Sequence, residues 1–161
     1  MFSKIPNFTC RLYGIKTQNK IWNSKSLGFN QQIKFVTKQT TKQEYFKSFS
    51  PNVTLNYEIA DFLAKSSTKN DRIFVWSNDS SAIYSLSRRL PPIKYVADYH
   101  FRDFSNPNEV INILTKTMPK FIVITSSSFP FPELNTFVNE NYYIISEIGT
   151  SQIWLYINQG E

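Results

Sequence analysis

The sequence predicts an α/β fold: a small Rossmann-like three-layer sandwich, with a mainly parallel sheet of about five strands ending in an antiparallel hairpin. Three observations predict it. From Asn52 onward, short runs rich in β-branched and aromatic residues alternate with segments whose apolar residues recur every three or four positions. Capping or turn residues separate successive segments, as βα units require. The last two runs are joined by so short a turn, Gly149-Thr-Ser151, that only antiparallel pairing can connect them.

Taken in order, residues 32–37 alternate weakly and read as a short strand. Residues 40–49 read as a short helix, with a threonine cap ahead of Glu44 and with Tyr45, Phe46 and Phe49 on one face. Pro51 is expected to break the chain. Asn52 or Thr54 then caps a helix whose apolar side holds Leu55, Ile59, Phe62 and Leu63, and the polar cluster at 66–71 ends it. Residues 72–77 form the next strand. Beyond the Asn78-Asp79 turn, Asp79 or Ser80 caps a helix with Ala82, Ile83 and Leu86 facing inward, terminated by Pro91-Pro92. Residues 93–97 read as a strand. Asn106-Pro107 opens a helix burying Val110, Ile111, Leu114 and Met118. Residues 120–125 are the most apolar strand, a helix follows from Pro132 to about Asn139, and residues 142–148 and 152–157 make the hairpin.

Composition narrows the chemistry. With 161 residues, 41% hydrophobic and 16% aromatic, the chain has the size and the apolar content of one ordinary domain with an extension. Four glycines argue against a glycine-rich phosphate loop. Cys10 stands alone and cannot form an internal disulfide, and with His100 as the single histidine a Cys/His zinc site is excluded. No metal and no cofactor is expected. The longest pure apolar run, residues 121–124, is far short of the ~20 residues of a membrane helix, and the N-terminus lacks the apolar core of an export signal. The chain therefore reads as soluble.

The net charge of +6 is unevenly placed. Through Ser50 there are nine Lys and Arg against one acid, Glu44; from Pro51 onward there are nine against eleven. The basic character belongs to the first third, and residues 1–34 read as a basic arm ahead of an α/β domain at 35–161. Such an arm suits phosphate, in anionic lipid headgroups ahead of nucleic acid, although a lysine-rich solvated segment explains it slightly better.

In an open parallel sheet, ligands sit beyond the carboxyl ends of the strands. Those positions hold Asn78 and Asp79, then Asp98 and His100, then Ser126 and Ser127. A hydrolase or transferase site would use His100 as base, Asp79 or Asp98 to orient it, and a serine as nucleophile. Against this, no Gly-x-Ser-x-Gly elbow surrounds Ser126 or Ser127, and the first strand leads into Ser-Asn-Asp-Ser-Ser where a dinucleotide fold needs glycines. These six residues stand as a binding rim with no catalytic residue assigned. Arg88 and Arg89 sit at a helix C-terminus, where one complements the helix dipole and the other is free to meet an anion or an acidic partner.

The residues at 57–65 (Tyr-Glu-Ile-Ala-Asp-Phe-Leu-Ala-Lys), 71–76 (Asp-Arg-Ile-Phe-Val-Trp) and 83–92 (Ile-Tyr-Ser-Leu-Ser-Arg-Arg-Leu-Pro-Pro) together resemble one kind of domain. It is the soluble C-terminal extracytoplasmic domain of protein-mannosyltransferase-type membrane glycosyltransferases, which have the GT-C fold and include aminoarabinose-transferase-like and RgtA/B/C/D-like enzymes. Residues 110–118 followed by Pro119 and the run 120–124 look like that domain's helix and "proline, then strand" step. Residues 41–46 are similar to the segment joining it to the last membrane helix. The resemblance spans about Phe35 to Ile157; Ser87 stands where the family has glycine, and residues 1–32 have no counterpart.

The resemblance implies a parent enzyme that transfers sugar from a polyprenyl-phosphate carrier, with its catalytic acid in a membrane portion this sequence does not contain. No catalytic residue carries over. The expected role is a non-catalytic soluble domain that covers the active site or binds acceptor or partner, with a transmembrane glycosyltransferase core or other membrane protein as partner, on the extracytoplasmic face. The alternatives are an independent binding module whose basic arm contacts anionic membrane or nucleic acid, and a small enzyme using the rim.

Overall fold

The computed structural model describes residues 29–157. The chain divides into two units, residues 1–50 and 51–161. Cys10 and most of the basic arm lie outside the described residues.

In the first unit, residues 29–36 form helix α1, and Lys42–Lys47 form α2. The strand expected over 32–37 is thus helical. Phe29, Ile33 and Val36 recur at four and then three, a helical period that outweighs the short alternation from Ile33. Thr37 Oγ1 donates to the Ile33 carbonyl at 2.8 Å, and Lys38, in the left-handed region at φ 58°, stops the helix. α2 starts as the sequence predicts, on a capping box: Glu44 N–H donates to Thr41 Oγ1, and the Glu44 carboxylate accepts from Thr41 N–H at 3.0 Å. That backbone bond, with the Thr41 and Thr40 hydroxyls, holds the Glu44 carboxyl below its ordinary pKa. Phe35 stacks on Tyr45 with ring centroids 4.6 Å apart, and Phe49 meets the same ring edge-on at 5.0 Å.

In the second unit the elements are α3 (Pro51–Ser66), β1 (Ile73–Trp76), α4 (Ser80–Ser87), α5 (Asp98–Phe104), α6 (Pro107–Thr117), β2 (Phe121–Thr125), α7 (Pro132–Asn141), β3 (Tyr142–Ile148) and β4 (Ser151–Tyr156). Pro51 opens α3 instead of breaking the chain, because a first-turn residue has no intrahelical use for the N–H that proline lacks. The sheet is four-stranded and mixed, in the order β1-β2-β4-β3. β1 and β2 run parallel, while β4 is antiparallel to both β2 and β3. The expectation of about five mainly parallel strands therefore gives way to one parallel and two antiparallel pairings.

The missing strand is residues 93–97, beside the outer edge of β1. Pro91 and Pro92 have no N–H to extend a ladder, and the backbone bonds to β1 and its end come from residues flanking the segment. Ile73 N–H donates to the Leu90 carbonyl at 3.3 Å, and Asp98 N–H to the Ser77 carbonyl at 3.2 Å. Between them, the Val75 N–H is taken by the Tyr84 hydroxyl at 2.9 Å. One edge is thus satisfied by two backbone groups and one side chain.

Period-two alternation divides the core. Ile73 and Val75, Phe121 and Val123, and Ile153 face α3 and α4, where they meet Ile59, Leu63, Ile83 and Tyr84. Phe74 and Trp76, Ile122, and Trp154 face the other way, onto Phe101 of α5, Val110 and Leu114 of α6, and Leu134, Phe137 and Val138 of α7. Helices on both faces give the expected three layers. Leu86, expected inside, is exposed.

Candidate functional site: an aromatic cleft at the strand-end rim

The parallel pairing of Trp76 with Ile124 puts the carboxyl ends of β1 and β2 side by side. Asp98 ties this rim together. It is fully buried; one carboxylate oxygen accepts from Tyr99 N–H at 2.7 Å, the other from Phe129 N–H at 3.1 Å, and its own N–H reaches the end of β1. The predicted rim carboxylate is a brace between β1, α5 and the turn after β2.

The remaining rim residues separate. Asn78 is exposed. Asp79 occupies the N-cap position of α4, yet its side chain makes no capping bond. Its N–H donates to Ser77 Oγ at 3.2 Å, and its carboxylate accepts from Asn52 of α3 at 3.3 Å. Ser80 does not cap α4 either: its hydroxyl points back onto the Val96 carbonyl at 2.5 Å and the Ser77 carbonyl at 3.0 Å. His100 lies on α5, where a loop was expected, with its ring edge-on to Tyr99 at 4.3 Å. Among the described residues it has no hydrogen bond to Asp79, Asp98 or a serine. Ser126 and Ser127 are exposed in the turn after β2; Ser127 Oγ lies 3.4 Å from Thr125 Oγ1. The Ser/His/Asp arrangement does not form.

The two arginines also part. Arg88 is exposed and caps α4 in the left-handed conformation, φ 55°. Arg89 is buried and cross-links two helix C-termini. Its Nε donates to Ser67 Oγ at 2.7 Å, Nη2 to the Ala64 and Ser67 carbonyls at 2.9 and 2.6 Å, and Nη1 to the Ser87 carbonyl at 3.0 Å. A guanidinium fork suits several carbonyls at a helix end, where the dipole favours a cation. Arg89 is therefore not free for an anion.

What the rim presents instead is a cleft of about 280 Å³ lined by Trp76, Phe101, Arg102, Ser105, Asn106, Pro107, Val110, Phe129, Pro130 and Phe131. Trp76, the last residue of β1, is fixed by its indole N–H, which donates to the Phe129 carbonyl at 2.8 Å. Phe131 packs on Trp76 at 4.8 Å, and the Arg102 guanidinium lies over the Phe129 ring at 4.5 Å. A 2.8 Å bond to Asp103 raises the Arg102 pKa and lowers that of Asp103. Such a lining, mainly aromatic with Arg102, Ser105 and Asn106 at its polar side, has the make-up of a binding cleft. The signal in the sequence was Trp76 at a strand end with Phe129-Pro-Phe131 just beyond the serines, a pattern that polar-residue searches pass over.

Among the described residues, no cluster of three His, Cys, Asp or Glu could hold a metal, and no helix is long and apolar enough to cross a membrane.

No curated protein matches the chain. Among solved structures, it is similar to the C-terminal globular domain of an oligosaccharyltransferase from Archaeoglobus fulgidus, at 12% identity and a TM-score of 0.40, over 62% of this chain and 95% of that one. Residues 55–159 match the family model described as "Putative competence-induced protein Ccs4 C-terminal domain", and the chain belongs to that family.

Proposed function

We propose that residues 51–157 act as a non-catalytic accessory domain of, or derived from, a polyprenyl-phosphate-sugar-dependent membrane glycosyltransferase, covering the catalytic cavity or holding acceptor or partner at the strand-end rim. The observation that carries this reading is how the rim spends its polar groups. Asp98 braces three segments, Ser80 holds a loop, and the opening beside them is aromatic. That surface is built to bind, and the resemblance of residues 57–65, 71–76, 83–92 and 110–124 to the soluble domain of such enzymes supplies the class.

The full chain is assayed in detergent for transfer from a polyprenyl-phosphate sugar, alone and with a multi-pass glycosyltransferase of its source. The chain alone is expected to transfer nothing, while Phe129→Asp, at an exposed cleft residue, lowers transfer by the pair. Transfer by the chain alone overturns the non-catalytic role. A pair indifferent to both the chain and Phe129→Asp overturns the accessory role.

A further inference from the structure

Helix α1 carries an apolar stripe that the described residues leave uncovered. Phe29, Ile33 and Val36 lie one above another at helical spacing, yet are 62%, 45% and 79% exposed. Phe35, on another side of the helix, is engaged with Tyr45, and Phe49 closes that seam, so α1 and α2 present the stripe from a braced pair of helices. Lys34, Lys38 and Lys47 are exposed as well, Lys34 on the polar side of α1. Glu44, the only acid through Ser50, is turned onto the cap of α2 by Thr40 and Thr41. The described part of the unit thus combines an exposed hydrophobic stripe with a sequence in which basic residues far outnumber acids.

We propose that this face of α1 docks on an anionic lipid surface, with Phe29, Ile33 and Val36 entering the headgroup–acyl boundary and the lysines meeting lipid phosphates. Charge selects the occupant. Among the described residues of this unit, Lys34, Lys38, Lys42 and Lys47 against Glu44 make a second copy of the same unit repulsive and an anionic surface attractive. A nucleic acid would satisfy the lysines and leave Ile33 and Val36 in water; a membrane interface takes both. The inference stands independently of the glycosyltransferase reading, because it uses only the first unit.

Co-sedimentation of the full chain with vesicles tests it. Binding is expected on phosphatidylglycerol–phosphatidylcholine vesicles, weakened by salt, and absent on phosphatidylcholine alone. Lys34→Glu with Lys38→Glu weakens binding by about tenfold or more, since each basic residue near such a surface contributes roughly fivefold. Ile33→Ser with Val36→Ser keeps the charge and also weakens binding by about tenfold or more; all four sites are exposed, so an unchanged circular dichroism spectrum is expected. Equal binding to neutral vesicles overturns the proposal, as does anionic binding indifferent to the serine pair. Tighter binding to an oligonucleotide than to anionic vesicles assigns the face to nucleic acid instead. A dimer on gel filtration that the serine pair dissolves assigns it to a second copy.

Discussion

Tyr84 shows how much can hang on one hydroxyl. Its oxygen takes the Val75 N–H on an edge of β1 where, among the described residues, no strand pairs, and burial pushes its own ionisation well above the ordinary tyrosine range. Tyr84→Phe removes the acceptor, keeps the ring and leaves a buried N–H unpaired, at a cost of about 1–3 kcal/mol, read as a lower urea midpoint with an unchanged slope. Arg89 is the second such residue. Arg89→Lys keeps the charge but loses the fork that spans the ends of α3 and α4. A loss of about 2–3 kcal/mol is expected by thermal unfolding, against less than about 0.5 kcal/mol for Arg88→Lys at the neighbouring exposed site. The sequence places these arginines together at a helix end; which one is buried depends on the carbonyls of α3, more than twenty residues away, and no local pattern carries that.

At the scale of elements, legibility followed periodicity. α3, α4, α6, α7, β1, β2 and the hairpin lie where spacing puts them; of the expected helix caps in this unit, Asn106 serves α6 by accepting from Glu109 N–H at 2.8 Å, whereas α3 opens on Pro51 and neither Asp79 nor Ser80 caps α4. Errors fell on short windows. In residues 32–37, alternation and helical spacing were both available, and the wider window beginning at Phe29 decided for the helix. In residues 93–97, β propensity was present, but the preceding prolines cannot donate and the Tyr84 hydroxyl had already taken the central edge group. α5 carries no local start signal, because its N-terminus is held by Asp98 bonding to Tyr99 and to distant Phe129. A side chain satisfied across the fold leaves no mark in the adjacent sequence.

For the molecule as a whole, the fold was more legible than the site. A rim at the strand ends was foreseeable from the βα alternation, but its polar residues proved to be braces, and the aromatic cleft assembles from β1, α5, α6 and the 129–131 segment. The opposite end of the sheet is tied by Asp71. Its carboxylate accepts from Thr68 N–H at 2.7 Å and from Lys120 at 3.2 Å, joining the approaches to β1 and β2. The Thr68 bond, helped by Lys120, holds the Asp71 pKa below its ordinary value. A depressed folded pKa stabilises fully above the unfolded carboxyl range, about pH 4, and that stability is lost as pH falls through the folded value. Asp71→Asn is therefore expected to cost about 1 kcal/mol at pH 7, with the gap to the parent protein closing below about pH 4, as urea unfolding at a series of pH values would show.

The strand order also dictates a sequence of events. β4, made last, lies inside the sheet between β2 and β3. While the chain is being synthesised, β1 and β2 can pair, but the far edge of β2 stays open until Ser151–Tyr156 have emerged. The local hairpin can close quickly, whereas the β1–β2 register must bring Ile73 to Phe121 across the intervening helices. Until then the most apolar strand of the protein is half-unpartnered, a nascent state with a use for chaperone protection.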